Sequence, residues 1–107
     1  MIYNFMRLIV FFDLPMNSKQ EKDSYAAFRK YLIKNGYLMM QYSIYCKIFN
    51  NIEALDNHVK MLKRSVPSEG QIRIMSVTEK QYTKIEIILG GLSNKEEKYS
   101  SDPIVIL

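Results

Sequence analysis

Residues 7–15 read RLIVFFDLP, and this stretch decides the fold because an apolar run ends in a carboxylate and a proline. The side chains of Leu8, Val10 and Phe12 alternate with those of Ile9 and Phe11. The alternation predicts a strand over residues 6–13 with two apolar faces. Such a strand is typical of the centre of a sheet that is covered on both sides. A charge at the end of a buried strand does not stabilise that strand, so the presence of Asp13 needs a separate explanation.

Composition limits the class of protein. A chain of 107 residues with 48% hydrophobic residues predicts one globular domain. The chain contains no apolar run of about 18 residues, which predicts no membrane span. The one cysteine, Cys46, cannot form an internal disulfide and fits the reducing cytoplasm. The net charge of +4 permits a partner that carries phosphate groups without demanding one.

Two amphipathic segments predict helices. Ser18 and Glu21 have the spacing of a capping box, and the Asn35-Gly36 pair supplies a stop for the first helix. The pair Asn50-Asn51 starts the second helix, and residues 67–70 end it. The apolar stripes that face the core are Tyr25, Phe28 and Leu32 in the first helix and Ile52, Leu55, Val59, Leu62 and Val66 in the second.

The remaining segments predict strands. Residues 37–49 are too long for one straight strand and predict two strands, or one sharply bent ribbon, with a change of direction near residues 41–43. Residues 71–77 and 84–89 predict two more, separated by a short helical turn over residues 78–83. The order is β-α-β-β-α-β with an additional C-terminal strand. We therefore predict an α+β fold, a ferredoxin-like βαββαβ sandwich.

The polar composition of residues 93–103 marks the end of the predicted domain, which spans residues 1–92. Residues 93–107 are predicted to be a polar linker that leads to an apolar tail. This tail could add a strand to a sheet edge in the same chain, in a second copy or in another protein. Its four residues are Ile104, Val105, Ile106 and Leu107.

Asp13 is the candidate catalytic residue and metal ligand. Two helices cover one face of the predicted sheet, so the other apolar face is expected to pack against a second copy in a homodimer. Asp13 continues the alternation of Ile9 and Phe11 on that face. Two copies would bring two carboxylates together, and a shared Mg²⁺ would relieve their repulsion and could polarise a phosphodiester. The alternative is an ordinary turn residue before a proline-containing loop.

Other polar side chains have simpler interpretations. His58 is read as a surface or boundary residue, and Cys46 as a packing residue. Arg7 lies at the end of the strand opposite Asp13 and could pair with an acid at the dimer seam. The eight tyrosines could stack on bases, but most fall on stripes that face the core and are assigned to the core.

Three segments together resemble a known family. RLIVFFDLP, the run GYLMMQYSIY over residues 36–45, and TEKQ over residues 78–81 are similar, in order and spacing, to the Cas-two family of small CRISPR-associated adaptation proteins. The resemblance implies a ferredoxin-like homodimer with a C-terminal strand that crosses over, and it implies that Asp13 is the Mg²⁺ ligand. It further implies metal-dependent endonuclease activity on RNA or DNA. The resemblance also implies a role in spacer acquisition. In that role the dimer would bind protospacer duplex DNA and bridge integrase dimers.

The basic residues are scattered along the sequence and most are expected on solvated helix faces. If some gather on one face, they could bind the phosphate backbone of duplex DNA, or of RNA, without reading bases. The candidates for phosphate contact are Lys19, Lys22, Arg29 and Lys47. Three functions remain open at this stage: an adaptation scaffold, a Mg²⁺-dependent phosphodiesterase, and a ferredoxin-like toxin ribonuclease or small regulatory domain that does not use paired Asp13.

Overall fold

The structure, a computed structural model, describes residues 5–91. It contains a four-stranded antiparallel sheet with the strand order β2-β3-β1-β4. The elements are β1 (Met6–Asp13), α1 (Lys19–Lys34), β2 (Leu38–Gln41), β3 (Ile44–Phe49), α2 (Ile52–Lys63), β4 (Gln71–Thr78) and α3 (Glu79–Tyr82). This order confirms the predicted ferredoxin-like fold.

The core lies between one face of the sheet and the two long helices. Val10 of β1 is fully buried, and on this face it is flanked by Tyr45 of β3 and Ile74 of β4. The helices contribute the side chains at helical spacing that the sequence predicts, among them Phe28 and Leu32. The full set of buried core residues is Leu8, Val10, Phe12, Leu14, Phe28, Leu32, Tyr37, Tyr45, Phe49, Leu55 and Leu62.

Helix α1 begins and ends where its sequence predicts. The backbone N–H of Glu21 donates to Ser18 Oγ at 3.1 Å, and the backbone N–H of Ser18 donates to Glu21 Oε1 at 2.9 Å. These two bonds form the capping box. Gly36 follows the helix with a φ of +89°, a conformation that glycine adopts without steric cost.

Helix α2 is shorter than predicted. It begins after Asn51, whose Oδ1 accepts from the backbone N–H of Ala54, but it ends at Lys63. Two residues depart from the predicted core-facing stripe: Val66 lies beyond the end of the helix, and Ile52, its first residue, is 59% exposed. Pro67 explains the earlier end of the helix, because a proline disfavours helical backbone in the residue before it.

The segment over residues 37–49 forms two strands, as predicted. Their connection includes Ser43 in the left-handed region, with a φ of +65°. The backbone N–H of Phe12 donates to the Ser43 carbonyl at 3.1 Å. The turn between β2 and β3 is therefore held against the end of β1, next to Asp13.

The predicted strand over residues 84–89 does not form in the described chain, where residues 85–91 are irregular. Ile88 and Leu89 are 95% and 94% exposed. A strand is stable only when its backbone groups pair with a neighbour, and within residues 5–91 this segment has no such neighbour. The short helical turn before it is confirmed as α3, which Thr78 caps.

The domain boundary and the tail cannot be compared with the structure. The predicted linker and tail, residues 93–107, lie outside the described residues, and so do Ile104, Val105, Ile106 and Leu107. None of the helices within residues 5–91 combines the length and the apolar character that crossing a bilayer requires.

Candidate active site and nucleic-acid interface

Asp13 is the last residue of β1 and is exposed. It lies opposite Gln71 of β4 in the ladder. Because side chains alternate along a strand, Asp13 shares a face with Ile9 and Phe11, and this face is opposite the one that packs on the helices. The carboxylate thus lies at one end of the face that two long helices leave uncovered.

The loop between α2 and β4 crosses close to the backbone of Asp13. Gly70 has a φ of +105°, and a Cβ at this position would lie 2.9 Å from the Asp13 carbonyl oxygen and 2.7 Å from Leu14 Cδ2. Only glycine fits this approach without displacing its neighbours. The loop therefore fixes the position of the strand end that carries the carboxylate.

One chain supplies a small ligand set at Asp13. Among residues 5–91, no group of three or more His, Cys, Asp and Glu side chains is close enough together to hold a metal ion. Over the same range the Asp13 carboxylate accepts no hydrogen bond and forms no ion pair. Its oxygens are open to a ligand that approaches from outside the chain.

The face of the sheet opposite the two long helices is largely apolar, as predicted, and α3 contacts part of it. Ile9 and Cys46 are buried in its centre, at 3% and 4% exposure. Ile48 and Met75 on the same face are 38% and 49% exposed. Further side chains that share this face across β1, β3 and β4 are Phe11, Ile44, Arg73 and Val77.

Arg7 holds α3 against one end of this face. Its Nη2 donates to Glu79 Oε2 at 2.8 Å, and its guanidinium carbon lies 3.6 Å from the centre of the Tyr82 ring. Burial lowers the pKa of Arg7, but the hydrogen bonds to Glu79 and Cys46 outweigh it and raise that pKa above its usual value. Arg7 therefore has an acidic partner in its own chain, directly after β4, and its position at a dimer seam stays a prediction.

His58 is buried rather than at the surface or boundary, which corrects the sequence interpretation. Its exposure is 9%, and its ring lies between those of Tyr37 and Phe49, with centroid separations of 5.5 Å and 5.2 Å. Within the described part of the chain, His58 Nε2 has no hydrogen-bond partner. Burial, with a smaller contribution from Lys47, lowers the pKa of His58. The signal for burial is its position three residues after Leu55 on the helix.

Three of the four predicted phosphate contacts lie on α1. Lys19, Lys22 and Arg29 are exposed and, at spacings of three and seven residues, share one side of the helix. Lys19 pairs with Asp23 at 3.1 Å, and Arg29 Nε donates to the Tyr45 hydroxyl at 2.9 Å. These two contacts leave the three side chains at the surface.

Lys47 lies apart from this group. It is half-buried on β3, and its ammonium donates to the Asn35 carbonyl at the end of α1. A lysine so engaged neutralises a helix C-terminus. The structure thus brings Lys19, Lys22 and Arg29 together, and gives Lys47 a contact inside the chain.

Sequence reasoning missed one surface feature. Tyr42, in the turn between β2 and β3, is 69% exposed, and its ring stacks on that of Tyr25 with a centroid separation of 6.2 Å. The general assignment of tyrosines to the core fits Tyr37 and Tyr45, which are 2% and 1% exposed. The turn position of Tyr42 was the available signal, because turns lie at the surface.

Comparisons with known proteins agree with one another. The family model described as CRISPR associated protein Cas2 matches residues 6–85. A protein from Treponema denticola named CRISPR-associated endoribonuclease Cas2 is 43% identical over 95% of this chain and 99% of its own length. One of the same name from Acidovorax ebreus is 39% identical over 94% and 99%. A solved structure described as a crystal structure of cas2 has the same fold, with a TM-score of 0.56, 19% identity and coverage of 84% of this chain and 91% of its own. The chain therefore belongs to the CRISPR associated protein Cas2 family.

Proposed function

We propose that this chain is a dimeric, metal-dependent endoribonuclease of a CRISPR system, and that Asp13 from two copies forms its active site. The observation that carries the proposal is an exposed, unpaired Asp13 at the end of the central strand, on the side of the sheet that the long helices leave bare. Two relatives that align over nearly their whole lengths are named endoribonucleases, which supports RNA as the substrate.

The partly exposed apolar face of the sheet supports the dimer. Half-exposed apolar side chains such as Ile48 and Met75 gain most by packing against an equally apolar surface, and a second copy provides one. In such an arrangement the two Asp13 side chains approach each other across the two-fold axis if the axis lies near the ends of the two β1 strands.

The exposed segment after α3 supports an exchange of strands. Ile88 and Leu89 are almost fully exposed, while within residues 5–91 the outer edge of β4 has no neighbouring strand. Beside this edge lies a groove whose lining includes Val66 and Ile72. Residues 84–89 of one copy would pair with β4 of the other and cover this groove, which explains why the predicted strand does not form in one chain alone.

Mg²⁺ fits a site that two chains share. Among residues 5–91, no cluster of three or more His, Cys, Asp and Glu side chains includes Asp13, and Mg²⁺ binds commonly through one or two carboxylates with water completing its shell. Asp13 from each copy would hold the ion. When bound, Mg²⁺ supplies a Lewis acid that polarises the phosphodiester group. The role of the Asp13 pair is to bind and orient, and that of the Gly70 loop is to keep the strand end in place.

We extend the proposal to the role of an adaptation scaffold. The exposed side of α1 that carries Lys19, Lys22 and Arg29 would bind the backbone of protospacer duplex DNA, and the dimer would bridge integrase dimers during spacer acquisition. Family membership supports this role. We expect the protein to act in the cytoplasm, because its one cysteine, Cys46, suits a reducing compartment.

The variant Asp13→Asn tests the endonuclease. It keeps the size of the side chain and removes the charge that binds the cation, so we expect RNA cleavage in Mg²⁺ to fall by about 100-fold or more. The measurement is the initial cleavage rate of a labelled RNA with Mg²⁺ and with a chelator. The control is Asp23→Asn, an exposed aspartate on α1 whose partner is Lys19. Equal rates for Asp13→Asn and Asp23→Asn would contradict the proposed active site.

A further inference from the structure

The ring of Tyr42 presents one free face to solvent. Its other face stacks on Tyr25 at 6.2 Å between centroids, with an angle of 26° between the ring planes. Tyr25 in turn packs on Phe12, whose ring centroid is 5.8 Å away. Tyr42 is 69% exposed, so it lacks the burial that usually stabilises a tyrosine ring. Its contact with Tyr25 holds one side of the ring in place.

The backbone holds this ring in place. Ser43, the next residue, has a φ of +65°, which is uncommon for a residue other than glycine. The Ser43 carbonyl accepts a hydrogen bond from the backbone of Phe12, and the Tyr42 hydroxyl donates to Met16 Sδ at 3.7 Å. The backbone next to Tyr42 is thus bonded to the end of β1, one residue before Asp13, and the Tyr42 hydroxyl contacts the segment that follows β1.

Cationic side chains flank the aromatic pair. Tyr25 lies on α1, with Lys22 three residues before it and Arg29 four residues after it, and residues at these spacings are neighbours on a helix surface. Both cations are exposed, and the Arg29 guanidinium is positioned by its bond to the Tyr45 hydroxyl. A stacking surface between two positive charges suits a base joined to phosphates.

We propose that Tyr42 binds an unpaired nucleobase of a single-stranded nucleic acid by stacking, with the adjoining phosphates near Lys22 and Arg29. The bases of a duplex already stack on each other, so an exposed ring favours a single strand or a base that is turned out of a stack. This site rests on the proposed function, since it would hold the strand whose backbone reaches Asp13. It adds a contact to the base itself, which the carboxylate pair does not provide.

The test measures binding of a labelled single strand and of a duplex of equal length to the full chain, with a chelator present so that no cleavage occurs. The single strand carries 2-aminopurine, whose fluorescence is quenched by stacking. We expect Tyr42→Leu, which keeps apolar bulk without a ring, to weaken single-strand binding about tenfold and to abolish the quenching. Tyr42→Phe keeps the ring and should bind within about twofold of the wild type. Duplex binding should not change in either variant.

Matched outcomes separate this site from the nuclease. The control Ile52→Ala removes a side chain that is 59% exposed at the start of α2 and should leave single-strand binding unchanged. Asp13→Asn should retain single-strand binding even if it cuts nothing, and a wild type that binds through Tyr42 without cutting would refute only the nuclease. Unchanged binding in Tyr42→Leu would overturn the site. The absence of single-strand binding in the wild type would also overturn the site. A Tyr42→Leu variant that only dissociates the dimer would overturn it as well, because the ring would then contact protein and not a base.

Discussion

His58 illustrates how one buried residue makes stability depend on pH. Its pKa in the folded protein is lowered from the usual 6.5 because burial disfavours the charged form. The unfolded chain therefore binds the proton more readily than the folded one. The contribution of His58 to the free energy of unfolding is therefore greatest above about pH 6.5, where the imidazole is neutral in both states. This contribution is lost as the pH falls below that value toward the lowered pKa.

The variant His58→Phe should remove this dependence. Phenylalanine is of similar size, and it eliminates the Nε2 atom that has no partner within residues 5–91, so we expect stability within about 1.5 kcal/mol of the wild type at pH 7.5. Urea unfolding between pH 7.5 and 5.5, above the range where most carboxylates titrate, is the measurement. The wild type should lose stability as the pH falls and the variant should stay level. Parallel curves would show that another group titrates.

Gly70 tests how closely the loop before β4 must approach Asp13. In Gly70→Ala the added Cβ meets backbone and Leu14 at under 3 Å, and the positive φ adds strain, so we expect a loss of about 2 kcal/mol or more. Gly90→Ala is the matched control, because Gly90 also has a positive φ, +94°, but has nothing within 4 Å of the added Cβ. Urea unfolding measures both. Equal losses would mean that the close approach carries no cost.

At the scale of the elements, local signals predicted what depends on local chemistry. The Ser18 capping box and the stop at Gly36 set the limits of α1 because each acts through the nearest backbone groups. The predicted strand at residues 84–89 is wrong for the single chain, because a β pattern reports a tendency to pair and cannot supply the partner.

The candidate site could be predicted only in part. Asp13 stood out because a charge interrupts an apolar alternation, and the structure places it where that alternation requires. The environment of His58, the Arg7–Glu79 pair and the exposure of Tyr42 depend on contacts between segments distant in sequence. No local pattern encodes such contacts.

Helix α1 carries the prediction for duplex DNA. Changing Lys19 and Lys22 together to Gln removes two exposed charges from one side of the helix. We expect weaker duplex binding and a slope of log affinity against log salt that is shallower by about one for each phosphate that is no longer neutralised. The matched control changes Lys60 and Lys63 to Gln on α2, which are also exposed. Salt slopes that fall equally in both double variants would argue against a specific DNA face on α1.

At the scale of the whole molecule, three features of the single chain leave apolar surface or a strand edge without a neighbour, and a second copy would cover all three. The sheet has an apolar face with Met75 half-exposed, β4 has no outer neighbour within residues 5–91, and Ile88 and Leu89 lack cover. Asp13 lies at the end of the same face. One symmetric dimer would bury the apolar residues and would pair the carboxylates, so assembly and activity should disappear together when the interface is disrupted.

The most direct test of the paired Asp13 site is RNA cleavage by mixed dimers. Wild type and Asp13→Asn chains are combined in varying ratios, allowed to exchange subunits, and assayed in Mg²⁺ at constant total protein. If both carboxylates are needed, activity follows the square of the wild-type fraction, so an equal mixture retains about a quarter of the activity. Activity that falls in direct proportion to the wild-type fraction, with about half remaining in the equal mixture, would contradict a site built from two chains.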